Sequence, residues 1–493
     1  MRVDSLALMP LVPLFGTYRG LQGFDEYFHA TPGPFRASIG QLINTLNAAG
    51  LDRLRHDGQA ACQALIARAS ERRPDALPPP VGSLPYQRFD PLPRLIDAAD
   101  WQRLAAGLCQ RIRALDAFVA DAYGRQLIIR DGLLPEALLT SSPLWRRDLL
   151  GCTPALGRWC VLAGFDVIHT KPGVWLVLED NLRRASGIGY ALLARQATCD
   201  HLPWLLDHQR ITAMDAGPAL LLKALRQLAP WSDDPRVVVL SPGRAAAAYF
   251  EHRLLADAMG VPVLEPHEIS CEAGRAWRHT AGRREPIDVI YRRNDDFVAA
   301  ADGTADLWLG VPGLLEVCAA GGVAVANPPG AGIAADKLLY GYVPAMVRYY
   351  LGETPLLNGV PTYACSDLQQ RQAILEHLDQ WVVKPVSGAG GVGLLMGPHA
   401  SPEARLHASL ALQTHPRRFI AQPYQELSRV PTLVKGHVHS CILDLRPFVV
   451  YGSEPSVIPG PLSRVARDGD STVVNLSQGG VYKDTWITAM PRG

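Results

Sequence analysis

Apolar residues recur at helical spacing over Ile39 to Leu54 and Ala60 to Ala69, and again at Trp101, Leu104, Leu108, Ile112, Leu115 and Val119. The first pair of runs predicts a helical cap, and the second a long amphipathic helix from Asp97 to Tyr123 whose apolar stripe is core. Between them, Pro74 to Pro93 carries prolines at 74, 78, 79, 80, 85, 91 and 93 and reads as a linker or extended arm.

Beyond residue 160 the period changes. Val161 to His169 and Val174 to Glu179 are strand-like runs joined by Lys171-Pro172-Gly173, a turn sequence, and predict a hairpin. A helical stretch runs through residue 228. Arg236 to Leu240, Val261 to Leu264, Ile287 to Tyr291 and Val323 to Ala326 then predict strands, with a helix over Ala245 to Met259. That alternation argues for a small α/β sandwich with parallel strands. Leu338 to Tyr350 reads as a helix, and Trp381 to Val383, Arg418 to Gln422 and Leu443 to Val450 as strands, so the whole is a mixed α/β (α+β) chain with a helical N-terminal region.

At 493 residues, 48% hydrophobic and 19% charged, the composition is that of a globular protein of two or three domains. A net charge of +1 with no long block of like charge gives no electrostatic case for nucleic acid. Nine cysteines without C-x-x-C spacing argue for a reducing compartment rather than zinc or a disulfide framework. The apolar stretch Ser5 to Phe15 is preceded by Asp4, interrupted by two prolines and followed by no small-residue cleavage site before Gly16-Thr17-Tyr18, which does not suit a signal peptide. No apolar run approaches the roughly 20 residues of a membrane span, so a cytoplasmic location is expected.

The chemistry concentrates in Trp381 to Gly393, WVVKPVSGAGGVG. A strand ends in Lys384, and Gly388, Gly390, Gly391 and Gly393 permit close backbone approach, so several N–H groups and one ammonium can converge on phosphate. The bland alternative is an ordinary glycine-rich hairpin. Neither the Walker loop nor the Rossmann fingerprint fits the spacing.

Two strands side by side bring Asp166 and Glu179 within reach of each other, and Asn181 points to the face of Glu179. Two carboxylates and an amide oxygen are hard ligands suited to magnesium; a solvated acidic hairpin end is the alternative. Tyr291-Arg292-Arg293-Asn294-Asp295-Asp296 stands at a strand's carboxyl end, where Arg292 or Arg293 can take a substrate carboxylate or serve in a structural Arg–Asp network. Lys337 opens a helix and offers a second phosphate contact, the alternative being a solvated Asp-Lys turn. Pro423-Tyr424 after a strand is a candidate adenine hinge. His437 and His439 share one side of a strand without a third ligand and read as surface histidines.

The runs YRRNDDF, NPPGAGIAADK, VVKPVSGAGGVG, IAQP, DLRPFVV and SQGGVYKDTW, with Glu179-Asp180-Asn181 two hundred residues ahead of the glycine loop, closely resemble the circularly permuted ATP-grasp type 2 family, a relative of glutathionylspermidine synthetase. The resemblance covers residues 10 to 487. It implies a circularly permuted ATP-grasp fold: an N-terminal helical cap with its proline-rich arm (1–150), the permuted metal-binding hairpin and following helices (151–230), a Rossmann-like pre-ATP-grasp subdomain (231–330), and a nucleotide-binding part with a glycine-rich lid (331–487). It also implies a carboxylate–amine ligase that converts Mg-ATP to ADP and phosphate and forms an amide or peptide bond through an acyl phosphate. By resemblance, Lys337 and Lys384 contact phosphates, Gly388 to Gly393 cover them, Gln422 and Tyr424 flank the adenine, and Asp166, Glu179 and Asn181 hold magnesium. Arg446 and Arg292 then stabilise the oxyanion. The substrates are a small-molecule or peptide carboxylate and an amine acceptor, with no nucleic acid or membrane, and any protein partner is separately encoded. The rival readings are a phosphotransferase or ATP hydrolase on the same fold, and an inactive nucleotide-responsive binding subunit.

Overall fold

The computed structural model describes residues 13–16, 18, 23–29, 34–71, 88–207, 209–214, 216–280, 282–299, 306–387, 393–476 and 479–489. Its largest sheet is built around the expected hairpin, Leu162–Lys171 paired antiparallel with Val174–Asn181. Across the sheet the strands run Phe89–Ile96, Val481–Ile487, Leu462–Val465, His437–Arg446, Leu162–Lys171, Phe448–Tyr451 and Pro455–Val457. Both the hairpin and the end of the chain therefore belong to one sheet, although some three hundred residues of sequence lie between them.

Two expectations about this sheet are corrected. The last part of the proline-rich arm is not a linker: Phe89–Ile96 is a buried strand, parallel to Val481–Ile487. Its register slips between Asp90 and Arg94, the interval holding Pro91 and Pro93, where a ladder cannot obtain N–H donors. Charge pairs pin it, Lys483 donating to Asp90 at 2.5 Å and Arg94 to Glu26 at 2.6 and 2.8 Å. The rest of the arm, 74–87, lies outside the described residues. Likewise, Leu443 to Val450 is two strands, His437–Arg446 and Phe448–Tyr451, parted by Pro447. The carbonyl of Pro447 still accepts from Phe165 N at 3.0 Å, so both pieces lie along Leu162–Lys171.

The helix Ala98–Tyr123 begins on an Asp97 side chain that accepts from Ala99 N, and it buries Leu104, Leu108, Ile112, Leu115 and Val119. These pack with Phe165, Val167, Val177 and Leu445 of the sheet into one core. Within that apolar face Arg111 reaches Asp180 with two 2.7 Å bonds. The hairpin is thereby fixed to the helix by a bidentate pair as well as by packing. The N-terminal helical cap is Gly40–Glu71, interrupted at Gly50, whose φ of 79° only glycine adopts freely.

A second sheet has all its strands parallel, in the order Ala324–Ala326, Val289–Arg292, Val237–Leu240, Val263–Leu264, as the alternation predicted. The run Ile287 to Tyr291 proves to be the ends of two strands, Arg283–Ile287 and Val289–Arg292, divided at Asp288, which accepts from Arg236 N at 2.9 Å. Arg283–Ile287 completes a meander with Ile269–Glu272 and Arg275–Thr280 that the hydrophobic pattern missed, because its exposed faces are too polar to alternate clearly. Tyr363–Ala364, Phe419–Pro423, Trp381–Pro385 and Leu395–Met396 form a small antiparallel sheet. The helix after Asp336 is three short turns, Lys337–Tyr340, Val343–Met346 and the π-helical Val347–Leu351. Among the described residues, no helix is long and apolar enough to cross a membrane.

Candidate active site

Between the small antiparallel sheet and the acidic hairpin lies a cavity of about 440 Å³. Its hairpin wall presents Asp166, Glu179 and Asn181, with Asp166 and Glu179 directly opposite each other in the strand register. Its other wall presents Lys384, Gln422 and Tyr424, and Lys337 stands between the two.

Lys337 is the first residue of its helix, whose start is fixed by Asp336 accepting from Leu338 N at 2.8 Å. Its ammonium lies 3.1 Å from Glu179 Oε1. Lys384 is buried; it pairs in register with Ile420 and reaches diagonally to Gln422, donating to its Oε1 at 2.6 Å. Gln422 in turn donates to Thr362 Oγ1 at 2.8 Å. Burial lowers the Lys384 ammonium to about 8, with Glu179 pulling it up and Lys337 pushing it further down. The nucleotide-sized space beside these groups is apolar, lined by Val360, Val382, Pro385, Leu394, Met396 and Leu427.

Arginines also meet the acidic hairpin. Arg446 grips Asp166 with bonds of 2.6 and 2.9 Å and donates to the Ser186 carbonyl at 3.1 Å. Arg464, which the sequence reading missed, bridges Asp444 at 2.5 and 2.9 Å and Asp166 at 2.9 Å. Burial works to raise the Asp166 carboxyl, but the two guanidinium groups outweigh it and hold that carboxyl well below the usual range. The available signal was alternation: Leu462–Val465 pairs with His437–Arg446 so that Arg464 stands opposite Asp444. Arg184 also lines the cavity.

Not every expected residue comes here. Arg292 is fully buried outside the cavity, donating to the Asn327 carbonyl at 2.6 Å, the Asn294 carbonyl at 3.0 Å and Asp296 at 2.5 Å. Arg293 donates to the Ala185 carbonyl at 2.6 Å and to Ser186 Oγ at 2.5 Å. The strand end is thus the structural Arg–Asp network that was the alternative, and Arg292 has no access to a substrate. Gly388, Gly390 and Gly391 lie outside the described residues; Gly393 has a φ of 73°. Tyr424 lines the cavity, but its N–H is already given to the Gln380 carbonyl at 2.9 Å. His437 and His439 are exposed. Among the described residues, no cluster of three or more His, Cys, Asp or Glu is placed to hold a metal.

A set that includes an amide fits a hard cation better. Glu179 is partly exposed to the cavity, and the buried side-chain nitrogen of Asn181 has no hydrogen-bond partner. Which amide atom faces inward is a matter of hydrogen bonding, and turned over, Asn181 offers an oxygen there. Asp166 Oδ1 accepts one guanidinium N–H and keeps a lone pair. The donors are all oxygen, which suits magnesium with phosphate oxygens completing its shell.

Comparison with known proteins follows the same line. Residues 93–466 match the family model described as circularly permuted ATP-grasp type 2. An uncharacterized protein of Synechocystis sp. is 42% identical over 94% of this chain and 96% of its own. A Frankia alni protein provisionally named glutamate–cysteine ligase is 46% identical over 81% of this chain, and the match spans 46% of that relative's length, less than half of it. Among solved structures, an apo glutathione synthetase-like effector from Globodera pallida aligns over 86% of this chain and 97% of its own at a TM-score of 0.49 and 10% identity, a distant likeness that carries no argument.

Proposed function

Because the chain belongs to the circularly permuted ATP-grasp type 2 family, we propose that it is a carboxylate–amine ligase that forms an amide or peptide bond through an acyl phosphate, using Mg-ATP and releasing ADP and phosphate. The observation that carries this reading is the convergence of Lys337, Lys384, Asp166, Glu179 and Asn181 on one cavity. Two ammonium groups facing a set of hard oxygen donors suit a Mg-nucleotide whose γ-phosphate is transferred.

In this reading the apolar wall takes the adenine, flanked by Gln422 and Tyr424. Lys337 and Lys384 face the phosphates, and Gly388 to Gly393 cover them. Glu179, Asn181 and Asp166 hold magnesium, which when bound neutralises charge on the phosphate oxygens. The substrate carboxylate attacks the γ-phosphorus; the bond to ADP breaks, and the two lysines stabilise the charge spread over the transferring group. An amine then attacks the acyl carbon and phosphate departs. Arg446, locked by Asp166 and the Ser186 carbonyl, is preorganised to stabilise the oxyanion of that step. Covering the site keeps water from the acyl phosphate.

The same reading divides the chain into cap (1–150), hairpin and following helices (151–230), Rossmann-like subdomain (231–330) and nucleotide-binding part (331–487). The provisional ligase name of the Frankia relative supports a small-molecule carboxylate and amine as substrates.

The test is to incubate the protein with Mg-ATP, hydroxylamine and a pool of amino acids, short peptides and other carboxylates. ADP formed together with a hydroxamate, and lost in Glu179→Gln, is the expected result. ADP without hydroxamate would replace the ligase by a phosphotransferase or hydrolase, and absence of turnover by a binding subunit.

A further inference from the structure

We propose that Arg184 anchors a second carboxylate on the acid substrate, so that the chain selects acids bearing two carboxyl groups over their single-carboxyl counterparts. This rests on the ligase reading above and names its substrate class.

Three arginines line the cavity: Arg184, Arg446 and Arg464. Two of them are already neutralised. Arg446 and Arg464 share Asp166, and Arg464 also holds Asp444, all four groups being at least five-sixths buried at the side chain. Arg184 differs. Its side chain is 33% exposed, and its ion-pair partner, Asp295, is 53% exposed at 3.0 Å. That single carboxylate is also approached by Arg183 at 3.5 Å. Buried Arg293 adds a further positive charge nearby. Arg293 has Glu251 at 3.4 Å and Arg292 has Asp296 at 2.5 Å, so among the described residues Asp295 alone answers both Arg183 and Arg184, and the cluster keeps one positive charge in excess for an arriving anion.

Phosphate does not need that charge. Lys337 and Lys384 already bring two ammonium groups to this cavity, Lys337 at 3.1 Å from Glu179. Arg184 is also well placed mechanically. Two residues further on, Ser186 lines the same cavity; its carbonyl accepts from Arg446, and its hydroxyl accepts from Arg293 and donates to Glu251 at 2.7 Å. The backbone that presents Arg184 is held from both sides, while the guanidinium itself stays free to exchange Asp295 for a ligand. A planar fork of N–H donors on a fixed backbone takes a carboxylate bidentately.

Equilibrium binding decides this without reliance on turnover. Calorimetric titrations would compare succinate with propionate and glutarate with butyrate, in the presence of Mg2+ and a non-hydrolysable ATP analogue, on the native protein, Arg184→Ala and Arg184→Lys. The native protein is expected to bind each diacid about tenfold or more tightly than its monoacid, roughly the discrimination one charge-assisted pair supplies. Arg184→Ala should bring that ratio close to one, Arg184→Lys should restore part of it, and the affinity for the analogue should stay the same in all three. A native protein with no preference for diacids, or a preference that survives Arg184→Ala, overturns the proposal and leaves the ligase reading standing. Failure of the native protein to bind the analogue overturns both.

Discussion

Lys384 donates its ammonium to Gln422 Oε1 across two antiparallel strands at 2.6 Å, in a place where burial has brought that ammonium down to about 8. A neutral amide can orient a lysine but cannot hold its charge. The charge is left for a ligand, and an anionic ligand must raise the ammonium's proton affinity when it binds.

A pH dependence follows with a definite sign. Below about 8 the Lys384 side chain is cationic and ready for phosphate; above it the folded apo protein carries the neutral amine. Affinity for Mg-nucleotide should therefore fall as pH rises from 8 to 9.5. Calorimetry at pH 8.5 in buffers of different ionisation enthalpy should show a proton taken up on binding. Stability of the apo protein should move the other way: the unfolded lysine, near 10.4, binds more protons between the two values, so this group's contribution favours folding increasingly as pH rises from about 8 to about 10. Lys384→Ala should weaken nucleotide binding by about 10- to 100-fold, the range of one charge-assisted contact, and abolish the proton uptake. An affinity that is flat with pH and unchanged in the variant would return the loop to an ordinary hairpin.

Glu179→Gln should separate function from fold. Glu179 has a 30% exposed side chain and an ion pair to Lys337, itself 13% exposed, so its structural contribution is about 1–2 kcal/mol. The thermal midpoint should stay within a few degrees while ADP release drops by two orders of magnitude or more. Equal turnover in the variant would remove Glu179 from the metal site.

Arg464 predicts the opposite balance. It is buried and bonded to both Asp166 and Asp444, and Arg464→Met would leave two acids facing each other without their shared cation. The loss of stability should be roughly 3 kcal/mol or more, as for other buried pairs with one partner removed. Asp166 is held below its unfolded value, so its share of stability is present above about pH 4 and disappears as pH falls. With Arg464 gone that carboxyl should titrate higher, and denaturant unfolding curves between pH 3 and 6 should show the variant losing stability at a higher pH than the native protein. Parallel curves would assign the anchoring to Arg446 alone.

What was legible in the chain was whatever depended on local period and local chemistry. The hairpin of Asp166 and Glu179 announced itself through two strand-like runs and a Pro-Gly turn, and Lys384 through its strand and glycines. Long-range pairing left weaker traces. Arg464 looked like any surface arginine until Leu462–Val465 was set beside Asp444, and Phe89–Ile96 was obscured by prolines that a strand tolerates only with partners on one side. Arg292 misled for a related reason. Its position at a strand's carboxyl end suits a ligand contact as well as an Arg–Asp network with Asp296, and only the distant Asn327 carbonyl, which also takes its guanidinium, decides between them.

Asn327 is where the hairpin and the parallel sheet are joined, and it gives the sharpest structural prediction. Its Oδ1 accepts from the N–H groups of Val161 and Leu162, each at 2.8 Å, while its amide nitrogen donates to the carbonyls of Leu162 and Leu182 at 2.7 and 2.5 Å. One side chain thus satisfies four buried backbone groups, two of each kind, which among the side chains of its size only an amide can do. Asn327→Ala leaves all four without partners, at about 1–3 kcal/mol for each group that water does not reach, so a loss of roughly 3 kcal/mol or more is expected in denaturant unfolding. Asn327→Asp is the more telling variant. It keeps the acceptor for Val161 and Leu162 but sets a carboxylate against two carbonyl oxygens, so it should destabilise at least as much as alanine despite its matching shape. Since Leu182 follows the Asn181 end of the hairpin directly, both variants should also weaken Mg-nucleotide binding. An aspartate variant as stable as the native protein would show that shape, rather than the paired donor and acceptor, holds this joint together.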